Sequence, residues 1–433
     1  GVRQVGKTWL VRHLAKTAGL QLVELNFEYR PQYASAFESN DPKQILLELG
    51  ASLNTSIDPE KSLLFLDEIQ AQPQILAKLR WFAELYPQLP VIAAGSLLEF
   101  ALKDHEFSMP VGRIQYMYLE PLTFEEFLLA KKKNALYEYL VAYKWGTKIS
   151  ELLHQQLMEE FKEYIIIGGM PDVVSSWVKE ADLNKINQKH HDLLATYRDD
   201  FSKYKGKLDS SRLEDVMTYV PRGLSEKFVY TKVNSSAGSE SIKQALHLLG
   251  LARICHLVYC TSANGLPLGS EIKEKYFKVI FLDVGLCSTL LGLSLHRIKT
   301  LHDVELVNDG GIAEQVVGQL LRSLFQAYED PKLYYWQRTE KGASEVDYVI
   351  QHDSTIVPIE VKAGSTGSLK SLHTFMNLKQ YKRACRINAA YPSQTPVQHK
   401  LSTGEEVAYQ LFSLPFYLLG QLNRLLEDEG SPG

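Results

Sequence analysis

From residue 1 to about 120 the apolar positions switch between two periods. In TWLVRHLAKTAG (8–19), Leu10, Val11, Leu14 and Ala15 recur at helical spacing, and Gly19 suits the C-terminal cap. LQLVELNFE (20–28) reads as a strand. DPKQILLELGASL (41–53) returns to helical spacing, with Asp41 as N-cap and Pro42 at the first helical position. SLLFLDE (62–68) is a continuous apolar run ending in two acids, which predicts a buried parallel strand. QPQILAKLRWFAELYP (72–87) predicts a helix, and VIAAGS (91–96) another buried strand. Strands and helices alternating in this way build a parallel sheet covered on both faces.

From about 121 to 205 the strand pattern stops. LTFEEFLLAKKK, ISELLHQQLMEEFKEYIIIGG and 184–204 all carry helical periodicity, and GGMP (168–171) breaks two of these helices apart. This predicts a helical lid or connector. Residues 206–300 mix short helices with a hairpin, LARICHLVYCTS (251–262) and YFKVIFLDVGL (276–286) flanking the turn-rich NGLPLGS. Residues 301–433 regain α/β character, and 430–433 is expected to fray.

The chemistry begins at the first residue. GVRQVGKT (1–8) fits GxxxxGK[ST], with Gly1, Gly6, Lys7 and Thr8 in the fixed positions. Backbone N–H groups of such a loop curl around a β-phosphate, the lysine reaches the β/γ-oxygens, and the hydroxyl ligates Mg²⁺. Glycine allows that close approach. The following helix turns its positive end to the phosphates. The nucleotide-binding set is therefore Gly1, Arg3, Gln4, Val5, Gly6, Lys7, Thr8 and Trp9. A phosphate loop needs a buried strand before it. Here the loop starts at residue 1, so the expectation is an N-terminally shortened copy that holds phosphate poorly.

LLFLDEIQ (63–70) supplies the second half of an NTPase site. Asp67 would hold Mg²⁺ through water, and Glu68 would polarise the attacking water, so Glu68 and Lys7 are the catalytic candidates. The Asp-Glu pair favours a hydrolytic ATPase over a GTPase switch. Ser96, at the end of the next strand, is either a sensor of the γ-phosphate or a helix N-cap. Arg113 reaches a phosphate of its own or a neighbouring subunit, or else forms a surface salt bridge.

A second constellation lies near the other end. GIAEQVVGQLLRSLFQA (311–327) predicts a helix bearing Glu314. Three strands follow, LYYWQRT (333–339), EVDYVIQH (345–352) and TIVPIEVKAG (355–364), the last two joined by a turn near Asp353-Ser354. Pairing about that turn sets Asp347 opposite Glu360, with Lys362 on the Glu360 face and Val357, Ile359 and Val361 on the other. Like charges so placed destabilise a hairpin by a fraction of a kcal/mol. A Mg²⁺ shared by Glu314, Asp347 and Glu360 would reverse the sign, and Lys362 could orient a water. The order and spacing match the PD-(D/E)xK arrangement of restriction-endonuclease-like domains. A solvated hairpin face is the plainer reading. Glu314, Asp347 and Glu360 are expected to converge with Lys362 in one pocket, the three carboxylates close enough to share a divalent ion.

The combination GxRQVGKT, LLFLDEIQ, AAGSLLEF, VGRIQYMYLEPLTFEEFL and GGMP resembles a prokaryotic group of AAA-type ATPases. FLDVGL (281–286) and VPIEVKAG (357–364) are similar to further stretches of that group. The resemblance implies that a winged-helix-like segment and a restriction-endonuclease-like domain follow the ATPase core. It also implies nucleotide binding by Gly6, Lys7 and Thr8, with Asp67 and Glu68 serving Mg²⁺ and hydrolysis. Two departures are the absent strand before Gly1 and the lack of a strongly basic surface in 209–300. The expected fold class is α/β. It comprises a P-loop NTPase (AAA-type) parallel sheet over 1–120, a helical lid or connector over 121–205, a winged-helix-like region over 206–300 and a restriction-endonuclease-like α/β domain over 301–433.

Composition narrows the partners. A chain of 433 residues holds about two to four domains. A net charge of −4 gives no overall nucleic-acid signature, so DNA contact would need local patches. Candidates are the basic stretch 362–386 and the helix SESIKQALHLLG (239–250) with Lys243, although Ile242, Ala245, Leu246 and Leu249 also give that helix a core face. Cys255, Cys260, Cys287 and Cys385 are scattered without a CxxC pair, pointing to a reduced, cytoplasmic compartment without structural zinc. No apolar run approaches the ~20 residues of a membrane helix. The leading expectation is an ATP- and Mg²⁺-dependent ATPase whose nucleotide state sets the posture of a nuclease-like module on DNA. The rival is a nucleotide-operated switch or scaffold, with an inert nuclease-fold domain that binds protein. A homo-oligomer is compatible with both.

Overall fold

The computed structural model describes residues 1–96, 98, 110, 112–201, 209–293, 310–338, 344–364 and 368–428. The expected frayed end, 430–433, lies outside the described residues, as does part of the LLEF stretch (97–100). The chain divides into two compact units. The first holds residues 1–120, 251–253 and 327–329, and the second holds 121–250, 254–326 and 330–433.

In the first unit, β1 (Gln21–Asn26), β2 (Ser62–Asp67) and β3 (Val91–Ala94) form a parallel sheet in that order. The register sets Asn26 beside Asp67 and Asp67 beside Ala94. Every residue of β2 is buried. Its side chains alternate between two cores, as a centrally placed strand requires. Leu64 and Leu66 join Leu25, Phe27, Ile45, Leu49 and Phe82, while Leu63 and Phe65 join Val11, Ala15 and Ala94. Helix Lys7–Thr17 ends where expected, with Gly19 at φ 67°. Helix Pro42–Leu53 starts where Asp41 accepts from the Lys43 N–H at 2.9 Å. The helix expected over 72–87 is different. Pro73, with no N–H and a fixed φ, opens a 3-10 segment (Pro73–Lys78), and an α-helix covers only Leu79–Leu85.

The second unit opens on helices Phe124–Ala130, Asn134–Ala142, Glu151–Ile167, Pro171–Glu180 and Leu183–Phe201. Thr123 and Glu126 close a reciprocal capping box at the first of these. Helices Ser210–Arg222, Tyr230–Val233 and Ser239–Leu251 follow. An eight-stranded sheet then takes β4 (Cys255–Thr261), β5 (Ile272–Phe281), β6 (Leu333–Gln337), β7 (Glu345–His352), β8 (Thr355–Val361), β9 (Arg383–Asn388), β10 (Ser393–Lys400) and β11 (Glu406–Pro415). Its order is β10-β11-β9-β8-β7-β6-β4-β5. The β4–β5 hairpin is therefore continuous with the sheet of 301–433 and does not stand apart as a wing. Helix Gly310–Arg322 precedes β6, and helix Lys370–Lys379 links β8 to the parallel β9.

Two sequence signatures meet in one interlock. Gly168 ends helix Glu151–Ile167 at φ 76°, ψ −173°, a conformation open essentially to glycine alone. The Gly169 N–H donates to Asp283 Oδ2 at 2.7 Å. The other oxygen of Asp283 caps helix Val284–Leu290, accepting from Gly285 and Leu286 at 3.0 and 3.1 Å. A Cβ on Gly168 would overlap the Asp283 carboxylate. Burial pushes the Asp283 pKa up, against the bonds from Gly169, Leu286, Gln319 and Gly285. GGMP and DxGL thus hold each other in place.

All four cysteines are buried free thiols. No helix among the described residues is long and apolar enough to cross a membrane.

Candidate functional site

The phosphate loop turns on Gly6, whose φ of 100° suits a residue without Cβ, and on Gln4 at φ 63°. Val2 and Val5 anchor the loop in the core. Lys7 folds back over the loop, its ammonium donating to the Val2 and Gly1 carbonyls at 2.7 and 3.1 Å. Burial lowers the Lys7 pKa to about 8, Glu68 and Asp67 oppose this, and Arg3 adds to it. Trp9 is exposed and stacks on His13 with ring centres 4.9 Å apart.

The end of β2 lies beside the start of helix Lys7–Thr17. Thr8 Oγ1 sits 3.4 and 3.3 Å from the two oxygens of Asp67. Asn26, the register partner of Asp67, donates to it at 3.3 Å. Burial raises the Asp67 pKa, and the Glu68 charge raises it further. A hydroxyl and an acid are thus held together by strand pairing and by the loop. Glu68 follows in a left-handed conformation, φ 52° and ψ 44°. That geometry costs a non-glycine residue about 1–2 kcal/mol. Its carboxylate accepts from Gln70 Nε2 at 2.6 Å.

Ser96 is buried and lines a cavity of about 540 Å³, together with Gly1, Lys7, Leu14, Ala94 and Tyr118. Thr8, Asp67 and Glu68 are not part of that lining, so the cavity is an apolar neighbour of the phosphate loop. Arg113 is elsewhere. It pairs with Glu84 at 3.4 Å, a carboxylate that Arg80 also reaches at 3.0 Å, and it does not line the cavity.

In the second unit the β7–β8 hairpin has the expected register, with Tyr348 opposite Ile359. Asp347 and Glu360 both lie close enough to Glu314 to feel its charge. Burial raises the Asp347 pKa well above its ordinary value, with Glu314 and Glu360 adding to the shift. Asp347 Oδ2 accepts from the Val361 N–H at 2.7 Å. Glu360 is raised by burial against the opposing Lys362, which donates to it at 2.6 Å. The other oxygen of Glu360 is buried without a partner.

Among the described residues no three His, Cys, Asp or Glu side chains are grouped to hold a metal ion. A further charged residue of this cluster was not among the candidates. Lys278, on β5, is buried, and its ammonium lies 3.0 Å from Glu314 and 2.5 Å from Glu345. Burial alone would lower its pKa, but Glu314, Glu345 and Asp347 outweigh that and hold it above its ordinary value. An internal ammonium supplies the positive charge in this cluster. The available signal was a lysine inside the apolar run YFKVIFL (276–282).

Family models match three stretches of the chain. Residues 1–128 match the AAA domain. Residues 158–297 match a domain of unknown function (DUF8612), and residues 309–406 match a second (DUF4143). No curated protein and no solved structure matched.

Proposed function

We propose that the protein is an ATP-binding, Mg²⁺-dependent ATPase working through Lys7, Thr8, Asp67 and Glu68, a reading supported by the match of residues 1–128 to the AAA domain. AAA domains bind and generally hydrolyse ATP. The observation that carries the residue roles is the approach of Thr8 Oγ1 to within 3.3 Å of Asp67. Adjacent ligands of an octahedral Mg²⁺ are about 2.9 Å apart, given bonds of 2.0–2.1 Å. A hydroxyl and a half-desolvated carboxylate at this spacing fit such an ion, directly or through water. When bound, Mg²⁺ neutralises charge on the phosphates. The loop N–H groups and Lys7 bind the β/γ-oxygens. Glu68 accepts the proton of the water that attacks the γ-phosphoryl group. Glu68→Gln should keep ATP and lose turnover, because Asp67 still serves the metal. Hydrolysis at the parent rate in that variant would remove Glu68 from the mechanism.

For the C-terminal part, the order helix, three antiparallel strands, helix and parallel strand supports a nuclease-like fold. Its nucleotide-set posture on DNA is the first reading. Lys278 between Glu314 and Glu345 favours the second, an inert fold that serves as a protein-binding switch or scaffold. A nicking and gel-shift assay with Mg²⁺ or Mn²⁺, with and without ATP, separates them. Metal-dependent nicking returns the first reading.

A further inference from the structure

Gln70 stands just beyond the acid pair, in the 3-10 turn Ile69–Ala71. The turn closes with the Ala71 N–H donating to the Glu68 carbonyl at 3.0 Å. So tight a turn brings side chains two positions apart back toward one another. The Gln70 amide uses this to donate to Glu68 Oε2 at 2.6 Å. Its other end points away from Glu68. Oε1 is buried and has no hydrogen-bond partner. That oxygen lies against the backbone of Gly95, where any Cβ would overlap it. Gly95 ends the run that begins in β3 and precedes the buried Ser96. One carboxamide therefore spans from the Glu68 carboxylate to the tip of the neighbouring strand. A buried acceptor left without a donor costs free energy, so its presence at this point calls for a reason.

We propose that Gln70 is the positioning residue of Glu68, holding the carboxylate in the orientation needed to take a proton from the attacking water. The proposal rests on Glu68 being the base. Glu68 is half-buried on a left-handed backbone, and its carboxylate accepts from this amide at 2.6 Å. Gly95 is glycine because the carboxamide occupies the space of a side chain.

The test uses the full chain and ATP with Mg²⁺. Gln70→Met keeps the length and removes the amide. Gln70→Asn keeps the amide and withdraws it by one methylene. Both should lower kcat by roughly 10- to 100-fold, a part of what a positioned base supplies. Nucleotide affinity by calorimetry should stay within about twofold, since the phosphate loop is untouched. In a Glu68→Gln background neither substitution should lower kcat further, because the group that it positions is gone. An unchanged kcat overturns the proposal. A matching loss of nucleotide affinity also overturns it, by making Gln70 a support of the loop. Additive losses in the Glu68→Gln background overturn the role of Gln70 alone, whereas parent-rate turnover by Glu68→Gln itself overturns the base assignment with it.

Discussion

Lys7 pairs a half-buried position with a charge that phosphate binding needs. Its neighbours are carbonyl oxygens of its own loop, and desolvation brings its pKa to about 8. Lys7→Ala should therefore remove measurable ATP binding by calorimetry, since the loop has no second ammonium at that point. The pH dependence has a definite sign. The lysine folds with a depressed pKa, so between about 8 and its ordinary value the unfolded chain binds more protons, and Lys7 makes the fold more stable as pH rises. Phosphate binding runs the other way. Only the protonated lysine attracts the β/γ-oxygens, so ATP affinity should fall by up to about tenfold per pH unit once pH passes 8. Affinity flat between pH 7 and 10 would show that the loop N–H groups suffice without Lys7.

At the scale of elements, the Gly168–Asp283 interlock gives the sharpest expectation. Gly168→Ala meets two penalties at once, a backbone region that a Cβ disfavours and overlap with the Asp283 carboxylate. A loss of about 3 kcal/mol or more in chemical denaturation is expected, with ATP binding in the first unit unchanged. A loss under about 1 kcal/mol would mean that helix Glu151–Ile167 ends freely, without Asp283. The same element shows why sequence reading succeeded in one place and fell short in another. The β1–β2–β3 sheet and its acid pair were legible because β2 and β3 are short apolar runs, β1 alternates in period two, and Asp67 closes the run that buries it. GGMP read as a break between helices, which it is, but its partner lies far along the chain, and nothing local signals a bond to Asp283. Likewise, Glu314, Asp347, Glu360 and Lys362 followed from hairpin register and helical phase. Lys278 and Glu345 did not, because β5 reaches that cluster only through β4 and β6 in a single sheet. Reading 206–300 as a winged-helix-like segment separated the lysine from the carboxylates that it neutralises.

Over the whole molecule there are two compact units, and two ligands that tell them apart. ATP with Mg²⁺ should raise the melting transition of the first unit by mass action, by about 2.7 kcal/mol at a hundredfold excess over Kd. If nucleotide state is transmitted to the second unit, its transition rises as well. Mn²⁺ should leave the second unit unmoved, because Lys278 already meets Glu314 and Glu345 within 3.0 and 2.5 Å. Replacing that lysine inverts the case. Lys278→Met leaves two buried or half-buried carboxylates without their cation, next to an Asp347 already pushed up by desolvation. Stability should fall by roughly 3–5 kcal/mol, the penalty for stripping one partner from a buried pair. Lowering pH should recover part of that loss. The raised pKa values of Asp347, Glu360 and Glu345 mean that the folded state holds protons more tightly than the unfolded chain, so stability climbs as pH falls through the upper carboxylate range. Mn²⁺ should recover part of it too, since the acids then face one another uncompensated. Thermal melts of parent and variant across pH, with and without Mn²⁺, measure both. If Mn²⁺ stabilises the parent as strongly as the variant, the ammonium is no substitute for a metal, and the carboxylates around Asp347 are a metal-binding site after all.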